Sequence, residues 1–180
     1  MRTYSKSGVV LALAVFGAAC SDFLSGPGLT ENPNSPVVAT PQQQMIAMQS
    51  NMATRLEGQL ARCAGVFTQQ LIGSNNQQLT YCTQYGVTEL DISGQMSGFY
   101  TGGGLVAMRN IEASGDPLLG GIAKIWEGLA FGTATSVWGD LPYSEALDLS
   151  ILTPRLDRQE DIYAAVQTRL DEGITLLQSG

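Results

Sequence analysis

From Met45 to Leu71 the apolar side chains return every three or four positions, at Met45, Met48, Met52, Leu56, Leu60, Cys63, Phe67 and Leu71. The mean step is about 3.7, close to the helical 3.6 and far from the strand period of two. Thr40 before Pro41 supplies an N-cap and a proline at N1, where its missing N–H costs nothing. The spacing therefore predicts one long amphipathic helix over this stretch. Strict alternation occurs nowhere in the chain, so the expected class is all-α, built from helical hairpins.

Three further helices are expected. Ser97–Ala113 reads as a weaker one, with Gly102, Gly103 and Gly104 at its start. Asp116-Pro117 opens the next by the same cap-and-proline logic, and Ile122, Trp126, Leu129, Thr133 and Val137 mark its inner face. Gly121, Gly128 and Gly132 lie on or beside that face, a sign that a neighbouring helix approaches closely. Gly139 suits the C′ position that closes this helix. The last helix is expected to start at Asp157, with Glu160 at N3 as an acidic capping box. Its inner face would be Ile162, Val166, Leu170, Ile174 and Leu177. Trp126 and Trp138 read as core.

The N-terminus carries an export signal. Arg2 and Lys6 precede the uncharged run Gly8–Ala19, which ends in small residues before Cys20. A positive start, a short apolar run and a small-residue exit make a secretory signal peptide over residues 1–19. The run is shorter than the roughly 20 residues that span a bilayer. Gly17-Ala18-Ala19-Cys20 resembles a bacterial lipobox, in which the Cys20 thiol is acylated and becomes the new N-terminus. Gly17 stands where that motif prefers Leu, and Gly17 with Ala19 also suits the ordinary signal peptidase, so plain secretion stays open. Ser21-Asp22 is similar to the signal that sends some lipoproteins to the cell surface. Residues 20–39, rich in Pro, Gly and Asn, form a flexible tether, and residues 40–180 form the helical domain.

Charge excludes several partners. Cleavage removes two of the nine basic residues and none of the 16 acidic ones, so the net charge moves from −7 to −9. A chain so acidic, without a basic stretch, does not suit nucleic acid or anionic lipid. Membrane attachment would have to come through acyl chains on Cys20. With Cys20 so used, Cys63 and Cys82 are left as either a disulfide pair or two buried thiols.

Catalytic chemistry finds little support. The chain has no His, which removes Ser-His-Asp and Cys-His systems and most zinc sites. Gly102-Gly103-Gly104 lacks the Lys and the strand of a phosphate loop. Glu89 and Asp91 are the one candidate pair for glycoside hydrolysis, and two acids that close are ordinary on a loop. No enzyme activity, cofactor or metal is expected. Residues 73–96 are polar, amide-rich and dotted with Tyr, and loops of that length in a compact domain are usually functional. Asn75, Asn76, Gln77, Tyr81 and Tyr85 are its candidate ligand contacts, since aromatic faces cover sugar rings and side-chain amides bond hydroxyls.

The order of these features resembles the SusD/RagB family of nutrient-binding outer-membrane lipoproteins. Cys20-Ser21-Asp22-Phe23-Leu24 is similar to that family's lipidated start, and Leu29-Thr30-Glu31-Asn32-Pro33-Asn34 to the Asn-Pro segment after it. Trp138-Gly139-Asp140-Leu141-Pro142-Tyr143-Ser144-Glu145-Ala146 resembles the stretch that follows the family's third helix. Leu156-Asp157 through Ile162-Tyr163 resembles the start of the next helix. The resemblance implies tetratricopeptide-like hairpins and a lipoprotein facing the cell exterior. It also implies capture of a glycan or other oligomeric nutrient and its delivery to a SusC-like TonB-dependent transporter. Family members are several hundred residues long, so the chain would be an incomplete N-terminal part, in keeping with a last helix that stops without a closing element. A ligand-free scaffold lipoprotein, or the N-terminal part of a secreted hydrolase, are the alternatives.

Overall fold

The computed structural model describes residues 39–179 except 77 and 87, with residues 81–83 and 89–91 described for their backbone only. The expected signal peptide, Cys20, the expected tether up to residue 38 and Gln77 lie outside the described residues. Among the described residues every element is helical apart from one isolated bridge, Leu141 to Asp157. Six α-helices follow in order: α1 Pro41–Glu57, α2 Gln59–Phe67, α3 Glu89–Ser97, α4 Leu105–Ala113, α5 Pro117–Trp138 and α6 Gln159–Ser179. A π-helical segment, Gln78–Thr83, stands between α2 and α3. The all-α expectation holds. No described helix is long and apolar enough to cross a membrane.

The cap at Thr40 forms in full. Its hydroxyl accepts the Gln43 N–H at 3.3 Å, and the Gln43 side chain accepts the Thr40 N–H at 2.9 Å. The single long helix does not. It breaks at Gly58, whose ψ of −127° leaves the helical region. A Cβ there would stand 2.2 Å from the Thr54 carbonyl oxygen, so the break needs glycine. Periodicity carries across the break because Gly58 falls on the polar face. Beyond Phe67 the chain turns away, and Leu71 is 55% exposed instead of joining the core.

Two other expectations are corrected in the middle of the chain. Residues 73–96 are not a plain loop, since they hold the π-helical segment and most of α3. The helix expected over Ser97–Ala113 is two pieces: Ser97 ends α3, and α4 begins only at Leu105. Between them the chain doubles back through Gly102 and Gly103 at left-handed φ of 59° and 101°. Phe99 plugs that turn into the core, fully buried and edge-on to Trp138 at 5.7 Å.

α5 keeps its expected ends. The Asp116 carboxylate accepts the Leu119 N–H at 3.0 Å, and Gly139, at φ 75°, donates its N–H to the Thr135 carbonyl. Its inner face is different from the apolar stripe in the sequence. Ala123, Glu127, Ala130, Phe131 and Ala134 are buried, while Leu129 and Val137 are each 49% exposed. α5 packs against α1, α4 and above all α6, so small residues turn inward to let those helices come close. Ile122, Trp126 and Trp138 rest half-buried against the core.

α5 and α6 form an antiparallel hairpin in which Gly121, Gly128 and Gly132 lie beside Gly173, Leu170 and Val166. The close approach expected from the glycines is present. α6 begins at Gln159, not just after Asp157, because the Asp140 carboxylate accepts the Gln159 N–H at 2.9 Å. Glu160 pairs with Arg158 and makes no capping box. Of its expected face, Ile162 and Val166 are buried and Leu170 is half-buried, whereas Ile174 and Leu177 are partly exposed, at 46% and 37%. Arg169 and Gly173 take the remaining buried places.

Candidate functional site

The segment around α2 is where the backbone departs most from relaxed geometry. Among the described residues, the non-glycine residues with positive φ are Gln69 at 59°, Asn76 at 51° and Tyr85 at 54°. All three fall between the end of α2 and the start of α3. Such conformations cost of order 1 kcal/mol or more each and concentrate at binding sites. The π-helical turn between them is a second feature that gathers at functional positions. It packs on α2, where the Gln78 amide donates to the Gln59 side-chain oxygen at 2.8 Å.

Those turns bring two rings together. Tyr85 stacks on Phe67 with centroids 5.2 Å apart and planes 17° from parallel. Phe67 covers one face of Tyr85, yet Tyr85 stays 63% exposed, so its other face is open to solvent. Beside it lies an open cavity of about 350 Å³ lined by Val66, Gln69, Leu71, Ile72 and Tyr85. The lining bears no charge. An aromatic face, an amide and aliphatic walls without ions suit a neutral ligand with an apolar side and hydroxyl edges.

Of the expected contacts, Tyr85 lines this cavity. Asn75 and Asn76 are exposed in the same segment but line no part of it, and the Asn75 side chain is engaged locally by the Asn76 N–H at 2.8 Å. Gln77 lies outside the described residues, and so do the side chains of Tyr81, Cys82, Glu89 and Asp91. Phe67, Gln69 and Ile72 were missed as site residues. Phe67 and Leu71 fit the helical stripe so well that their spacing pointed to the core; the amides at Gln69 and Gln70 were the signal for the turn. Cys63, one helical turn before Phe67, is buried and disulfide-bonded.

The segment Trp138–Ala146 is a joint, not a ligand surface. The Asp157 carboxylate accepts the Tyr143 and Ser144 N–H groups at 3.0 and 2.6 Å, the Ser144 hydroxyl at 2.8 Å and the Arg155 Nε at 3.2 Å. The Tyr100 hydroxyl donates to the Pro142 carbonyl at 2.7 Å, tying the α3–α4 turn to the same place. Burial pushes the Asp157 carboxyl up, but the Ser144 and Tyr143 hydrogen bonds outweigh it and hold it below its ordinary value. A carboxylate so depressed contributes stability above its unfolded pKa of about 3.9, and loses it as pH falls through the folded value. Asp157→Asn should therefore lower stability by about 1–2 kcal/mol at pH 7, from the loss of charge-assisted bonds. Urea unfolding should show the gap to the parent narrowing steadily below pH 4; a gap constant down to pH 3 would refute this account.

A second polar group lies inside the core. Glu127, fully buried, receives Arg109 at 2.8 Å, Arg169 at 2.7 Å and the Tyr143 hydroxyl at 2.5 Å. Arg169 also contacts Glu112, and Lys124 bridges Glu112 at 3.1 Å and Glu172 at 2.6 Å. Burial, and then the neighbouring Glu127 charge, push the Tyr143 phenol well above its ordinary range, so it serves as a hydrogen-bond donor. Arg109, Arg169 and the Tyr143 hydroxyl converge on Glu127, which makes this a structural lock across α4, α5, α6 and the Tyr143 loop.

A family model for SusD-like proteins, described as starch-binding and associating with the outer membrane, matches residues 33–180. The match takes in the Phe67–Tyr85 site, the Asp157 joint and the Glu127 network. No curated protein matches the chain.

Proposed function

The chain belongs to the SusD-like family, and on that premise we propose that it binds a neutral glycan at the outer membrane for nutrient uptake, using the Phe67–Tyr85 face. Capture rather than catalysis is its task. The observation that carries the reading is the Tyr85 ring, stacked on Phe67 from behind and open in front, beside an uncharged cavity. A pyranose would lie on the open ring face, with Gln69 at its edge and the exposed Asn75 and Asn76 within the same segment. An acidic protein does not repel such a ligand, because the sugar carries no charge. Acyl chains on Cys20 hold the domain at the cell surface, and residues 20–39 let it reach a SusC-like TonB-dependent barrel to which the glycan is handed.

The test uses the full chain, tagged at its C-terminus and purified from detergent-solubilised outer membranes, where a large TonB-dependent barrel should co-purify. In native gels cast with soluble starch the parent should be retarded. Tyr85→Ala should weaken the starch affinity about five- to tenfold, roughly 1–1.4 kcal/mol, while Tyr85→Phe keeps most of it. Equal retardation of the parent and Tyr85→Ala would remove the site from this segment.

A further inference from the structure

The disulfide at Cys63 and the ring pair at Phe67 occupy successive turns of α2. The chain has three cysteines, at positions 20, 63 and 82. Position 82 falls in the π-helical segment, which packs directly on α2. Tyr85 follows three residues later. The Phe67–Tyr85 stack thus joins the same two strips of chain that carry positions 63 and 82.

We propose that Cys63 is bonded to Cys82, and that this bond is a latch that positions Tyr85 over Phe67 for the ligand. The inference rests on the proposed binding role of that ring pair. Two features make a latch necessary. Tyr85 and Asn76 hold left-handed backbone conformations that a free segment would leave. Tyr85 itself stays 63% exposed, held on α2 from one side by the ring stack, with the Gln78–Gln59 amide bond seven residues before it. A covalent link beside Tyr85 removes the open conformations that would compete with stacking. Cys63 and Cys82 are positioning residues: neither sulfur needs to touch the glycan.

Trypsin leaves both cysteines in one peptide, since no Lys or Arg lies between Cys63 and Cys82. Chymotryptic digestion of the unreduced full chain should therefore be used, and mass spectrometry should find the Cys63 and Cys82 peptides joined. Reduction with a phosphine, which supplies two electrons and leaves as its oxide while water gives the two protons, should separate them. Amide hydrogen exchange in residues 78–86 should then speed up at least tenfold, with α5 and α6 unchanged. Starch affinity should fall about fivefold or more, and Cys63→Ser/Cys82→Ser should behave as the reduced parent does. A Cys63 peptide joined to anything but Cys82, or exchange in 78–86 indifferent to reduction, would overturn the latch. If the oxidised chain fails to bind starch at all, the binding role fails, while exchange still decides whether the latch exists.

Discussion

Replacing Arg169 with methionine should destabilise the domain by about 3–5 kcal/mol, because it leaves Glu127 buried with too little positive charge around it. Glu127 has no solvent access, and Arg169 is the cation that reaches it from α6. The same guanidinium contacts Glu112 on α4 and Glu172 at 3.1 Å on its own helix, so its removal strips three carboxylates at once. Arg109 and the Tyr143 hydroxyl remain on Glu127, which places the loss nearer 3 than 5 kcal/mol. Burial disfavours the Arg169 charge, yet Glu127 and Glu112 raise its affinity for its proton beyond the ordinary value. The cation is thus held by its neighbours and not by water. A double-mutant cycle with Glu127→Leu checks the reasoning. Removing the buried acid as well should recover at least half of the loss, since an apolar pair avoids the desolvation cost altogether. Chemical denaturation of the four proteins supplies the numbers. A single-variant cost below about 1 kcal/mol would show that the network is ornamental.

That network marks where the sequence stops being readable. The helix ends at Thr40, Asp116 and Gly139 were legible because their signals are local: Thr40-Pro41 and Asp116-Pro117 act through residues three positions away, and Gly139 through its own φ. Tertiary demands decide the rest. In α5 the apolar stripe through Leu129 and Val137 was the obvious inner face, but α6 approaches from the glycine side and turns that stripe toward solvent. Glu127, Arg169 and Glu112 look like solvated charges in one dimension, since Arg169 lies 42 positions from Glu127 and 57 from Glu112. Asp157 similarly suggested a cap, although the Asp140 carboxylate, brought round by the Leu141–Asp157 bridge, fills that role. The candidate site was half legible. Tyr85 stood out by composition, whereas Phe67 and Leu71 were hidden by a periodicity that continues after the helix has ended. A stripe of hydrophobic residues reports which side chains avoid water in a helix, and Gly58 and Gln69 decide where that helix stops.

The glycine contacts of the α5–α6 hairpin predict opposite signs for two changes that look alike. Gly121 and Gly173 face each other, and a Cβ on either would lie 3.0–3.1 Å from the other's carbonyl oxygen. Backbone cannot swing aside as a side-chain tip can. A Cβ on Gly173 would also meet Ile125 at 3.0 Å. Gly173→Leu drives four carbons into that contact, forcing the helices apart along the most extensive interface in the domain. Overpacking of this kind costs about 1–3 kcal/mol for one or two methylenes, so a loss of roughly 3 kcal/mol or more is expected. Better helix propensity returns only about 1 kcal/mol. At Gly132, one turn beyond Gly128, the balance reverses. Its Cβ would meet Val166 at 3.7 Å, ordinary contact. Gly132→Ala should then gain about 0.5–1 kcal/mol from propensity alone. Thermal unfolding of both variants by circular dichroism gives the comparison. Two shifts of the same sign would mean that the hairpin can slide, and that its glycines are a matter of composition and not of fit.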